Sequence, residues 1–144
     1  MIKRCLLMVM LLLTLPACAP ATLNAPADVP TGPLIDYQRS GGFAGLQDHL
    51  VIQVDGSAQL TRKGAERRFS LSQAELEQLT AALEKARFAE LREEYLPSTQ
   101  GADLFDYVVT FRGHRVHTQD TAVPEALRPA LNALNEIISR HAQP

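Results

Sequence analysis

The sequence predicts an α+β domain: an antiparallel sheet of five to six strands, ordered as β-meander, helix, β-hairpin and helix, with two main helices packed on one face. Three observations carry that prediction. Between residues 34 and 71, apolar and polar residues alternate and glycine turns punctuate the runs, which is the period-two signature of half-buried strands. At Ser72 the period changes to three and four behind a capping box, as a helix laid on a sheet requires. Residues 104–112 are then β-branched and aromatic, and a turn leads from them into a second helical pattern.

The first strand spans 34–40, with Ile35, Tyr37 and Arg39 on one side and Asp36, Gln38 and Ser40 on the other. In the second, Leu50, Ile52 and Val54 alternate with Val51 and Gln53, and Asp55-Gly56 marks a tight turn. A third strand covers 58–63 with Leu60 inward, and the chain turns at 63–66 into a short fourth segment around 67–71. Ser72 and Glu75 form the capping box, with Leu71 and Leu76 at the staple positions. The first helix turns Leu76, Leu79, Leu83 and Ala86 inward, and apolar content continues through Phe88, Leu91, Tyr95 and Leu96 until Pro97. The strand at 104–112 places Phe105, Tyr107, Val109 and Phe111 on one face, and Gly113-His114 turns it into 115–119. A second helix opens at Pro124. Pro129 lies too deep for an undisturbed helix, so a short opening turn is expected there, with regular helix from about Pro129; over the whole segment Leu127, Leu131, Leu134 and Ile138 face inward and Ala130 and Ile137 widen the stripe.

Between the first two strands lies Arg39-Ser40-Gly41-Gly42-Phe43-Ala44-Gly45-Leu46. Glycine serves where a chain needs positive φ or where its backbone approaches another body closely. A turn alone needs one or two glycines. Three around one phenylalanine suit a binding loop held at the rim of a rigid sheet. The same residues also suit a long hairpin loop whose Phe43 folds back onto the core. Arg39 is expected to cover core with its stem while its charge reaches solvent.

The first residues read as an address. Met1 to Arg4 form a basic start, an apolar run follows, and Leu15-Pro16-Ala17-Cys18 resembles a bacterial lipobox. Residues 1–17 are therefore expected to be a lipoprotein signal peptide, with Cys18 as the acylated first residue of the mature chain. Prolines 20, 26, 30 and 33 make 18–33 an extended tether, and 34–144 the folded domain. Ala19 is not the aspartate of an inner-membrane retention signal. In a diderm host that implies a cell-envelope protein anchored in the outer membrane through lipid on Cys18, facing the periplasm. The only cysteines are Cys5 and Cys18, so no disulfide forms in the mature chain and the core must carry the fold. A formal charge of −2, more acidic once Lys3 and Arg4 are removed, argues against nucleic acid as a partner.

Catalytic chemistry is not written here. His114 and His117 leave a strand on opposite faces and do not share a metal ion easily. Ser40, Ser57 and Ser70 have no nucleophile-elbow context. Glu93-Glu94 and the pair Asp103 and Asp106 read as solvated surface, and no phosphate-cradling motif occurs. Neither an enzyme nor a cofactor is expected, and the weight falls on a binding module.

Arg39-Ser40-Gly41-Gly42-Phe43-Ala44-Gly45, then Gly101-Ala102-Asp103-Leu104-Phe105-Asp106-Tyr107, then Pro124-Glu125-Ala126-Leu127-Arg128-Pro129 together resemble the emfourin family. The resemblance covers about 35–138 and is most specific in the first heptapeptide. It implies a protein that inhibits a thermolysin-like zinc metallopeptidase by placing residues 39–46 in its active-site cleft. The second signature implies a further interface at Asp103 and Tyr107. The residues themselves favour a structural account of both, with Asp103 closing a turn after Gly101 and Tyr107 packing in the sheet. The lipoprotein signal departs from the family prototype, so the alternative function is an envelope lipoprotein whose domain binds another protein without inhibiting it.

Overall fold

The computed structural model describes residues 32–99, 101 and 103–142. The signal peptide, Cys18 and the tether up to residue 31 lie outside the described residues. Seven strands form one sheet in the order β4-β3-β2-β1-β6-β7-β5. They are β1 (Ile35–Gly41), β2 (Leu46–Ile52), β3 (Ser57–Arg62), β4 (Ala65–Ser70), β5 (Glu94–Tyr95), β6 (Phe105–Phe111) and β7 (His114–Gln119). The helices are α1 (Gln73–Lys85) and α2 (Arg128–His141).

The expected five to six antiparallel strands become seven in a mixed sheet. The additional strand, β5, is two residues long and pairs parallel to β7, with Glu94 beside His117 and Tyr95 beside Thr118. Helix α1 ends at Lys85 because Arg87 takes a left-handed φ of 51°, a position that glycine usually fills. A single 3-10 turn at Phe88–Glu90 follows, and His117 N–H donates to Glu93 O at 2.8 Å. Two residues are too few to alternate, so only this nonlocal pairing defines β5. Val54, expected to continue β2, is exposed in the turn instead.

Registers fix which turns share an end of the sheet. Gly41 stands opposite Leu46 and Phe105, while Ile35 stands opposite Ile52 and Phe111. The 42–45 turn, the Lys63-Gly64 turn, the segment before β6 and the 3-10 turn Asp120–Ala122 therefore gather at one end, termed the loop end. Leu34, the Asp55-Gly56 turn and the Arg112-Gly113 turn lie at the opposite end.

Both helices cover one face. Ile35, Tyr37, Leu50, Ile52, Leu60, Val109 and Val116 meet Leu79, Leu83, Leu127, Leu134 and Ile138, all with essentially no solvent exposure. Apolar burial is the main term holding such a domain together. Phe88 closes the side, packed edge-on against Phe111 at 6.0 Å between ring centroids. The opening of α2 follows the proline pattern: a 3-10 turn at Glu125–Leu127, then regular helix with a proline in its first turn. The helix-free face is polar, with His49 Nε2 3.1 Å from Asp36 and His117 Nε2 3.0 Å from Asp106. Burial alone would raise the Asp106 carboxyl, but hydrogen bonds from Gln119 and His117 and the nearby His117 charge hold it below its ordinary value.

Ser72 caps α1 as the sequence predicts. Ser72 N–H donates to Glu75 Oε2 at 2.9 Å and Glu75 N–H donates back to Ser72 Oγ. Arg140, in the last turn of α2, lies 2.6 Å from the same carboxylate, so the two helices run in opposite senses. The Ser72 backbone and hydroxyl, then Arg140, depress the Glu75 pKa from 4.5 to about 2. A depressed carboxylate contributes stability above its unfolded pKa and loses it as pH falls through the folded one. The Tm gap between the wild-type chain and Glu75→Ala should therefore be full above about pH 5 and close between pH 4.5 and 2. A gap that is constant over that range would refute the assignment.

Candidate functional site

The 42–45 turn is built from backbone geometry. Gly41, Gly42 and Gly45 hold φ values of 101°, 68° and 55°, in the left-handed region where side chains are strained. Gly45 N–H donates to Gly42 O at 2.9 Å and closes the turn, and Gly42 N–H donates to Leu104 O at 3.2 Å and ties the turn to the start of β6. The two segments quoted from the sequence thus meet in space. A Cβ on Gly41 would sit 2.4 Å from Leu104 O, and one on Gly42 2.6 Å from the Phe105 ring, whereas one on Gly45 meets nothing within 4 Å. Gly41→Ala is accordingly expected to cost about 3 kcal/mol or more, and Gly45→Ala only about 1–2 kcal/mol for its φ. Equal losses of Tm in the two variants would overturn this account of the loop.

Phe43 stands at the tip, 93% exposed. Of the two placements open to it, the structure has the rim. Ala44 and Gly45 beside it are exposed, Leu46 is half-buried, and Ser40 is exposed on the helix-free side of the stem. Single exposed apolar residues are ordinary, and Val54 and Leu96 are others here. Phe43 differs in the machinery beneath it.

That machinery is a buried ion cluster. Arg39 and Asp48 face each other across β1 and β2, and Arg62 faces Asp48 from β3. Arg39 Nη2 lies 2.6 Å and Nε 3.1 Å from Asp48 Oδ2. Arg62 Nε lies 2.9 Å from Oδ1, within ion-pair reach though off the line of a hydrogen bond. The Asp48 side chain has no solvent exposure. Asn135 of α2 accepts from both Arg39 Nη1 and the Tyr37 hydroxyl at 2.9 Å, and the Arg39 guanidinium sits 5.7 Å from the centre of the Phe105 ring. Burial pushes the Tyr37 hydroxyl well above its ordinary pKa, so it remains a donor. Here the expectation for Arg39 is corrected. Its charge turns inward to Asp48 because a carboxylate directly opposite offers a partner that solvent does not outcompete once both are desolvated.

Asp103 and Tyr107 are separated by burial. Asp103 is exposed at the loop end with φ 69°. Tyr107 is only 8% exposed, on the helix side, and its hydroxyl donates to Asp120 Oδ1 at 2.6 Å. The other oxygen of Asp120 accepts from Phe105 N–H at 2.9 Å, so this carboxylate fixes the start of β6 against the glycine turn. Burial, then the bond to Asp120, pushes the Tyr107 pKa far up. Among histidines, His114 packs edge-on to Phe88 with Nε2 2.9 Å from Leu91 O, and His117 joins Asp106 on the opposite face. Among the described residues, no three His, Cys, Asp or Glu side chains converge as metal ligands.

Sequence reasoning missed Asp48, Arg62, Asn135 and Asp120. A signal was available for two of them: with β2 begun at Leu46, Asp48 falls on the inward side in phase with Leu50 and Ile52, and Arg62 follows Leu60 in the same way. Charged residues on an inward row need partners. Asn135 and Asp120 carry no such local mark.

No curated protein matches this chain. The sequence model of the Emfourin family matches residues 37–135, from the tyrosine that opens the buried network to the asparagine that completes it. The chain belongs to the Emfourin family.

Proposed function

We propose that this protein is a non-enzymatic inhibitor that blocks the active-site cleft of a thermolysin-like zinc metallopeptidase with its glycine loop, Phe43 filling the large apolar pocket on the primed side. The observation that carries this reading is a nearly fully exposed ring on a turn whose backbone and stem are both locked. Family membership supports a metallopeptidase-inhibitor type of role.

Preorganisation separates an inhibitor from a substrate, because a loop already ordered loses little entropy on binding. It also keeps the two ends of a cut loop together. Gly41 and Gly42 seat the turn against Leu104 and Phe105, Gly45 has open space beside it and lets the backbone lie close to a cleft floor, and burial of the phenyl ring contributes roughly 1.5–3 kcal/mol by area. Asp103, exposed beside the turn, is a candidate for a second contact, while Tyr107 supports the rim from beneath. The lipid anchor on Cys18, with the domain held in the periplasm, belongs to the same proposal. The test is to titrate the chain against a thermolysin-like peptidase, comparing wild type with Phe43→Ala. Binding without inhibition would favour a non-inhibitory envelope lipoprotein.

A further inference from the structure

The turn between β3 and β4 shares the loop end with Phe43. From Thr61 to Arg68 the chain carries Arg62, Lys63, Arg67 and Arg68 against a single carboxylate, Glu66, in a protein whose formal charge is −2. Two of these cations are already engaged: Arg62 with Asp48, and Arg68 with Glu66 at 2.7 Å. Lys63 and Arg67 are exposed, and among the described residues neither lies within ion-pair distance of a carboxylate. Together with Arg62, Leu60, Ala65 and Ala142 they line a hollow of about 190 Å³. Lys63 also edges a neighbouring groove of about 380 Å³ that contains Ser40 and Gln47, at the foot of the Phe43 hairpin.

Resting on the inhibitor reading above, we infer that Lys63 and Arg67 form a second contact, taking carboxylate side chains from an acidic lip that flanks the cleft Phe43 enters. The spacing suits it. Lys63 follows Arg62 one strand beyond Gln47, and Arg67 stands one strand further out on β4, level with Leu50. At about 4.8 Å per strand and 3.3 Å per residue the pair begins roughly 10 Å from the Phe43 turn and reaches to roughly 20 Å from it, within the span of a standard interface of about 800 Å² per partner. Orientation favours a protein over a membrane as the source of negative charge. The chain comes into β1 at the opposite end of the sheet, whereas the 63–64 turn lies beside the exposed Phe43 that the same protein partner engages.

Exposed rim charges act mainly on the association rate and its salt dependence. The experiment uses the full chain and a thermolysin-like peptidase that the wild type inhibits, with rates measured at low and high ionic strength. Lys63→Glu with Arg67→Glu should lower kon on the order of tenfold at about 0.02 M salt, with the gap closing near 0.5 M and koff unchanged. Lys63→Arg with Arg67→Lys should behave as wild type. Phe43→Ala should instead raise koff and keep the salt slope, so the two contacts fail independently. An unchanged kon at low salt, or a loss that high salt does not relieve, would overturn the inference. So would selective loss of binding to phosphatidylglycerol vesicles with kon intact, which would assign the cations to lipid. If the wild type inhibits no such peptidase, the inhibitor reading falls first and this contact with it.

Discussion

Phe43→Ala is expected to weaken inhibition of a thermolysin-like peptidase by about 30-fold to 1,000-fold while leaving the fold intact. A central aromatic anchor is worth about 2–4 kcal/mol when truncated, and each 1.4 kcal/mol is tenfold in affinity. The ring is 93% exposed in the free protein, so its removal opens no cavity, and Tm should stay within about 0.5 kcal/mol equivalent of wild type. That separation makes the measurement decisive. Inhibition constants from progress curves, set beside thermal unfolding of the same samples, distinguish loss of an anchor from loss of a domain. An inhibition constant unchanged by the substitution would remove the loop from the interface.

Asp48→Ala should act first on the fold. It leaves Arg39 and Arg62 facing each other across β2 with no carboxylate between them, and Arg39 is only 13% exposed. Breaking a buried pair costs about 3–5 kcal/mol, most of it for the charge left behind. For a domain of this size the Tm should fall by roughly 10–20 °C. Inhibition should weaken as well, since the stem under the turn loosens. Combining Asp48→Leu with Arg39→Met and Arg62→Met should recover much of the stability, because an apolar cluster of similar volume carries no desolvation penalty. Retention of wild-type Tm by Asp48→Ala alone would show that the cluster is not what braces the hairpin.

The legible part of this molecule was what local pattern dictates. The capping box at Ser72, the split start of α2 around Pro129 and the inward rows of both helices follow from spacing alone, and they are found as spaced. The glycine loop was legible as a loop. Whether Phe43 stood out or folded back was not, because both placements satisfy the same glycines; the structure has the ring exposed, on a turn tied from Gly42 to Leu104. What stayed hidden was set by partners distant in sequence. Strand β5 exists through β7, Arg39 turns inward because Asp48 faces it, and Asn135 matters because α2 returns beneath β1. Beginning β2 four residues late concealed Asp48, the most consequential of these.

Strand β1 carries the chain from Ile35 toward the phenyl ring across seven residues, about 20 Å. A bead, fluorophore or host protein joined ahead of it therefore sits behind the working edge and leaves the ring open to solution. The carboxyl side offers no such clearance: Ala142 borders the hollow shared by Lys63 and Arg67, so bulk appended there would shade both cations, and amino-terminal attachment is the orientation in which this domain is best displayed.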